Sequence, residues 1–348
     1  MKEYNKKTEY SGQTNKGKVR TENEDAFAVQ TVWDKNHILA VVIDGVGGYK
    51  GGKVAAGIAQ KVIPDYLKRY PNGERLELLK QAVTEANNRI FEEACKEPDL
   101  SNMCCVLTAV IVEIEKKQIN MVHIGDTRLY QYHNWVLQKL SHDHSLVGYR
   151  EEIGDLTEEQ AMNHPQRNVI GRDVGSSRHE TDDKDFIEAA VFPLLPNSML
   201  MLCSDGLCDM LKSDEMAQIL QQNISVYRKI NALISLANEK GGKDNITVAL
   251  VDYRSDEPQQ VEEQESDLQE DANPTEETKT AETAGSNGIK LWIVACLLAA
   301  ALIIGLAGGW FGRGLTRPAE VATDSVKVAT DTLPSIDSIK NITTDEIF

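Results

Sequence analysis

An α+β layered domain followed by a membrane-spanning segment is the architecture that this chain of 348 residues predicts. Three observations predict it. Two strand-like apolar runs precede two segments of helical spacing, and further strand-like runs follow, an order that fits an α+β layered domain. Three of the runs lead into an Asp that adjoins a Gly: Asp44-Gly45, Gly125-Asp126 and Asp205-Gly206. The apolar pattern stops after residue 253, yet a later stretch, 291–311, runs for 21 residues without a charge.

The elements follow in order. Residues 1–24 are polar and lead into Asp25 through Arg20-Thr21-Glu22-Asn23-Glu24. Alternation through Phe27, Val29 and Val32 predicts a first strand, and 38–43 a second, buried one. The second delivers Asp44 to a glycine cluster, where the backbone can approach whatever the acid holds; an ordinary Asp-Gly turn is the plain alternative. Spacing at Val54, Ile58 and Val62 predicts a helix over 51–67 with Pro64 near its end. Leu76, Leu79, Val83, Ala86, Ile90 and Ala94 predict a second amphipathic helix. Strands are expected at 106–114, 119–124, 129–132 and 136–140, the last running into Ser141-His142-Asp143-His144-Ser145. Residues 146–180 are polar with a short helix at 156–162, and a connection of this length reads as a functional flap. The run from Met199 ends in Asp205-Gly206; helices at 213–222, capped by Ser213, and 226–240 follow. Asp244-Asn245 then opens a last strand, 246–253.

Composition narrows the function. The formal net charge of −17 argues against nucleic acid as a partner. Six cysteines, at 95, 104, 105, 203, 208 and 296, lack zinc-type spacing and read as reduced core residues of a cytosolic domain. The N-terminus lacks the apolar core of a signal peptide. Residues 254–288 hold 11 Asp/Glu against 2 Lys/Arg, so 254–289 reads as an acidic linker that stays disordered. The segment 290–311 is long enough to cross a bilayer, at roughly 32 Å for the helix over 291–311, and carries Trp292 and Trp310 near its ends. A polar tail, 312–348, follows, and the domain proper is 1–253.

The acids carry the chemistry. Asp44, Asp126 and Asp205 follow apolar runs, Asp244 precedes one, and Glu24 and Asp25 precede another. Carboxylates brought together repel unless cations sit among them. An all-oxygen set suits Mg²⁺ or Mn²⁺ rather than zinc, and two such ions can activate a water toward phosphorus. Arg20, four residues before Glu24, could grip phosphate oxygens. For each acid taken singly, a turn or surface role is the alternative.

With these residues in view, the chain resembles the metal-dependent protein serine/threonine phosphatases of type 2C (PPM) in their bacterial form. The resemblance covers roughly residues 8–253, through ordered blocks at 20–27, 44–48, 125–130, 140–145, 168–175, 204–207 and 242–247. It implies a four-layer α-β-β-α sandwich of two antiparallel sheets flanked by helices. It also implies that Asp44 bridges two Mn²⁺ or Mg²⁺ ions with the Gly45 carbonyl contributing, that Asp205 and Asp244 complete one shell, and that Glu24 serves the other. Asp25 would stand behind these ligands, Asp126 would help hold a third, weaker ion, and Arg20 would clamp the substrate phosphate. The implied reaction is in-line attack on phosphoserine or phosphothreonine by a metal-bridging hydroxide, without a phosphoenzyme. Two departures stand out. Val46 occupies the place of the His that eukaryotic members carry as proposed leaving-group acid, so another donor, a metal-bound water, is implied, and His142 and His144 are expected in surface or structural roles. Cys104-Cys105-Val106 replaces Gly-Thr-Thr, an expected packing change.

Phosphoprotein substrates and reduced cysteines place the domain in the cytoplasm, on a single-pass membrane protein. Flanking charge does not orient the span: Lys279 and Lys290 precede it, and Arg313, Arg317 and Lys327 follow. The linker reaches on the order of 30–35 Å, which makes membrane Ser/Thr kinases candidate partners of an otherwise monomeric catalytic domain. Two alternatives remain: a catalytically silent pseudophosphatase that binds phosphoproteins and signals through the span, and a phosphatase for a small phosphorylated metabolite.

Overall fold

Strands β1 (Glu9–Asn15), β2 (Ala26–Thr31) and β3 (His37–Val46) open the fold, followed by helices α1 (Gly51–Arg69) and α2 (Arg75–Ala94). Next come β4 (Cys104–Glu113), β5 (Gln118–Ile124), β6 (Arg128–His133) and β7 (Val136–Lys139), then the short helices α3 (Leu146–Glu152) and α4 (Glu158–Met162). Strands β8 (Glu188–Pro193) and β9 (Met199–Cys203), helices α5 (Asp205–Cys208), α6 (Ser213–Leu220) and α7 (Val226–Glu239), and strand β10 (Ile246–Asp252) complete it. The structure, a computed structural model, describes residues 8–47, 50–183 and 185–255.

Two five-stranded antiparallel sheets result, with strand orders β1-β10-β9-β6-β7 and β2-β3-β4-β5-β8. The pleat sends alternate side chains to opposite faces, and the central strands bury both. In β3, Leu39, Val41 and Ile43 meet α1 and α2, whereas Ile38, Ala40 and Val42 face the other sheet. In β9, Met201 and Cys203 pack toward α6 and α7, whereas Leu200 and Leu202 turn inward. The layers are therefore helix, sheet, sheet, helix, as expected, and burial on both faces is why these strands read as unbroken apolar runs.

Several local expectations are corrected. Strands β1 and β8 were not anticipated: both are edge strands with little fully buried surface, so neither needs an unbroken apolar run. Strand β3 does not stop at Asp44. It continues through Gly45 and Val46, which pair with Cys105 and Cys104. Helix α1 runs on past Pro64 and presses Ala55, Ala56, Ala59, Ile63 and Leu67 onto the sheet. Small alanines let it approach closely, and the larger Val54, Ile58 and Val62 lie along its flank. Ser213 is not a cap but the first residue of α6; its N–H and hydroxyl both donate to Glu158 Oε1, at 2.8 and 2.7 Å. Helix α3 was also not anticipated; Ser145 caps it by accepting from the Gly148 N–H at 3.0 Å. Among the described cysteines all are free and four are buried, but Cys95 is exposed.

Among the described residues, no helix is long and apolar enough to cross a membrane. The proposed span 290–311, the tail and all but the first two linker residues lie outside the described part.

The inter-sheet layer sets the spacing of the two sheets, so it should be sensitive to lost volume. Leu202→Ala, at a fully buried position, is expected to cost about 2–5 kcal/mol, read as a lower urea midpoint at unchanged m-value.

Candidate active site

At one end of the sandwich a cleft of about 160 Å³ is lined by Arg20, Glu24, Asp44, Gly45, Asp126, Asp205 and Asp244, with Val46, Asn168 and Ile170 among the remaining walls. The acids arrive from separate segments. Asp44 projects from within β3, Asp126 from the β5–β6 turn, Asp205 from the first position of α5, and Asp244 from the turn into β10. Glu24 and Arg20 come from the β1–β2 loop.

Glycines permit the convergence by giving up space. A Cβ on Gly45 would strike the backbone of Gly52 and the carbonyl of Glu24, and one on Gly206 would strike the Asn245 carbonyl. The glycines beside Asp44 and Asp205 are therefore close-approach points rather than turns. Gly125 does sit in a turn, at φ +103°.

Asn245 holds the cleft's front loop and was missed as a functional residue. Its Nδ2 donates to the carbonyls of Lys16 and Glu22, each at 2.9 Å. Its Oδ1 accepts from the Glu24 N–H at 2.8 Å. One buried amide thus satisfies three backbone groups of the loop that carries Arg20 and Glu24; the sequence hint is only its place beside Asp244 at the head of a strand. Arg20 in turn lies 2.6 Å from Asp244 Oδ2 while 46% of its side chain stays exposed.

Asp25 does not line the cleft. It is buried behind it, where its Oδ2 accepts from the hydroxyls of Ser204 and Thr247 at 2.8 and 2.6 Å. Burial lifts its pKa to about 6 against the pull of those hydrogen bonds. Burial, then the neighbouring carboxylates, push Asp44 and Asp205 well above the usual range. Burial and the nearby Asp143 bring Asp126 to about 7 although Arg128 opposes them. Asp205 Oδ1 is buried without a hydrogen-bond donor among the described residues. Such a group ionises fully only against added positive charge. Hard oxygen donors, raised pKa values and an unpaired carboxylate oxygen fit divalent Mg²⁺ or Mn²⁺.

The flap closes one side. Helix α4 starts with a reciprocal cap in which Gln160 N–H donates to Thr157 Oγ1 and Thr157 N–H to Gln160 Oε1. Glu158 and Glu159 pin it to Ser213 and Lys212. Arg167 pairs with Asp209 at 2.5 Å, beside a smaller cavity that Asp126 and Asp205 also line. Asp209 was not anticipated from sequence. Val46 presents a methyl surface to the cleft, whereas His142 and His144 lie outside its lining.

Residues 13–247 match the family model described as Protein phosphatase 2C. The serine/threonine phosphatase stp of Listeria monocytogenes is 35% identical over 243 residues, 69% of this chain and 93% of that one. A Streptococcus agalactiae serine/threonine phosphatase structure superposes with TM-score 0.63 at 30% identity, covering 72% of this chain and all of the other. The catalytic domain of the phosphatase PstP, solved in complex with two manganese ions, matches at TM-score 0.62 and 28% identity over 71% of this chain and 99% of that one.

Two outcomes are expected. Asn245→Ala removes the partner of three part-buried backbone groups, so it should cost roughly 1–3 kcal/mol by urea denaturation and raise KM for phosphopeptide by loosening the Arg20 loop. The raised carboxyl pKa values favour the protonated native state, so their stabilisation is full at low pH and lost as pH rises through the folded values, about 6 for Asp25 and about 7 for Asp126. With chelator present, the thermal midpoint should therefore fall as pH rises from about 4, the ordinary carboxyl range, to about 7, and Mn²⁺ should abolish that fall. Burial lowers the pKa of His123 to about 4, so that imidazole opposes the fall in the lower part of this window and adds no slope above the ordinary imidazole range.

Proposed function

The chain belongs to the protein phosphatase 2C family and is a serine/threonine phosphatase, and from that premise we propose that the acidic cleft is a divalent-metal centre that hydrolyses phosphoserine and phosphothreonine on proteins. The observation that carries the proposal is the convergence of Asp44, Asp126, Asp205 and Asp244 with Glu24 on one cleft. Asp44 would serve two ions with the Gly45 carbonyl contributing, Asp205 and Asp244 would complete one shell and Glu24 the other, and Asp126 would help hold a third, weaker ion. Mn²⁺ and Mg²⁺ both suit this donor set. When bound, the ions supply a nucleophile at neutral pH and charge to offset the phosphoryl oxygens.

The chain's own side chains bind and orient. Arg20 stands half-exposed at the rim, beside Asp244, where its planar fork can take two phosphoryl oxygens. Asp25 acts from behind, holding Ser204 and Thr247 at the ends of β9 and β10 and so fixing the strands that bear Asp205 and Asp244. Val46 offers no proton, so the leaving seryl or threonyl oxygen needs a donor other than the residue at this place. Asn168 and Ile170 bring the flap to the cleft, where they would meet the residue that carries the phosphate. Against a silent phosphoprotein-binding role stands the presence of every expected carboxylate at the site.

Residues 290–311 would anchor the protein by a single span, with residues 1–253 in the cytoplasm and 254–289 as a tether. The length and uncharged character of 291–311 and its terminal tryptophans support this. Phosphoproteins at the membrane, Ser/Thr kinases among them, would then be within reach.

The full chain should release phosphate from phosphoserine and phosphothreonine peptides with Mn²⁺, and lose the activity in EDTA. Asp205→Asn should lower kcat by about 100-fold or more, since removing one charge-stabilising group in an active site costs on that order. Activity that persists in EDTA, or a preference for phosphotyrosine, contradicts the reading. Deleting 290–348 should move the protein from the membrane to the soluble fraction.

A further inference from the structure

Gly125 precedes Asp126, and one residue holds its peptide groups from both sides. The His144 N–H donates to the Gly125 carbonyl at 2.6 Å, and the Gly125 N–H donates to His144 Nδ1 at 3.1 Å. Only glycine fits at position 125, because a Cβ there would strike Val106. The His144 carbonyl meanwhile accepts from the Gly171 N–H at 2.6 Å. Ser145 and Ile170, on either side of that contact, form an antiparallel bridge. Ile170 lines the cleft. His144 thus joins the loop bearing Asp126 to the flap.

The ring is itself held. Its Nε2 lies 3.5 Å from Glu188 Oε2, and Glu188 also takes His142 Nδ1 on Oε1 at 2.8 Å. Burial opposes ionisation of Glu188, but the hydrogen bonds from His144 and His142 outweigh it and hold the carboxyl at about 2. Because His144 Nδ1 accepts from Gly125, a neutral ring carries its proton on Nε2, facing that carboxylate.

His123, His144 and Glu188 also place one ligand atom each within 4.8 Å of one another, and His123 Nε2 is buried without a partner among the described residues. A cation there would need the His144 Nε2 lone pair. Freeing it means moving the ring proton to Nδ1 and breaking the bond from Gly125. The observed hydrogen bonds therefore favour a clamp over a metal site.

We propose that His144, oriented by Glu188, is a positioning residue that clamps the Gly125 peptide and ties it to the flap at Gly171, keeping Asp126 aimed into the cleft. The proposal rests on the reading of Asp126 as a working acid of that cleft.

Two substitutions separate the ring's atoms. In His144→Asn the amide oxygen stands where Nδ1 was, preserving the acceptor for Gly125; His144→Gln keeps a polar group near Glu188 but withdraws that acceptor. Full-length variants are titrated with Mn²⁺, the free ion counted by paramagnetic resonance, and kcat and KM are measured on a phosphothreonine peptide. His144→Gln and His144→Ala should lose roughly 10–100-fold in weakest-site Mn²⁺ affinity or in kcat, the loss typical when a group supporting a metal ligand is removed. His144→Asn should recover most of that loss, with KM little changed throughout. Should His144→Ala fail to fold, the contrast between Asn and Gln decides.

Wild-type behaviour of His144→Gln, or equal damage from Asn and Gln, overturns the clamp. So does stoichiometric Zn²⁺ binding that survives Asp126→Asn and is lost in Glu188→Gln, which would make the cluster a metal site. Asp126→Asn measured in parallel separates the two levels. If it changes neither Mn²⁺ binding nor kcat, the reading of the cleft fails. If it is impaired while His144→Gln is not, only the clamp fails.

Discussion

Buried carboxylates that repel one another are the constraint around which this molecule is built. Asp44, Asp205 and Asp126 each sit in a low-dielectric end of the sandwich, and burial followed by neighbouring carboxylates raises the pKa of all three. Left to itself such a cluster would spread apart or protonate. It is kept together because each acid is fastened to an element whose own packing is decided elsewhere. Asp44 lies inside a strand with both faces buried, and Asp205 follows another.

The site also spans the two sheets. Asp44 belongs to one, Asp205 and Asp244 adjoin strands of the other, and Asp126 lies in the turn that passes between them. The spacing of the acids is therefore set by the layer of Ile38, Ala40, Val42, Leu200 and Leu202 that separates the sheets. Core packing and site geometry are one problem here, because close-packed interiors transmit small volume changes. Loops supply what must be adjustable, namely the guanidinium of Arg20 and the flap residues Asn168 and Ile170.

Polar side chains do the fastening where backbone pairing ends. Asn245 secures the front loop, the hydroxyls of Ser204 and Thr247 secure Asp25, and Glu158 secures the flap helix to α6. The segment 141–145 brackets 125–128 in the same way: Ser141 Oγ accepts from the Leu129 N–H, and Asp143 pairs with Arg128 at 2.6 Å. Each of these groups is buried or half-buried, so an unmade bond would carry the full cost of desolvation.

From the sequence alone, the central strands and the position of each acid beside them could be determined, because burial on both faces writes an unbroken apolar run that ends visibly at a charge. The layered α+β order followed from the same runs. Strands β1 and β8 were not legible, since an edge strand half-open to solvent needs no apolar pattern. Nor was the continuation of β3 past Asp44, because Gly45 reads as a turn until Gly52 and the Glu24 carbonyl are seen pressed against it. Tertiary structure alone decided the roles of Asn245, Asp209 and His144. Their partners lie far away in the chain, at Glu24, Arg167 and Gly125. A hydrogen bond depends on separation in space, and nothing in local composition records it.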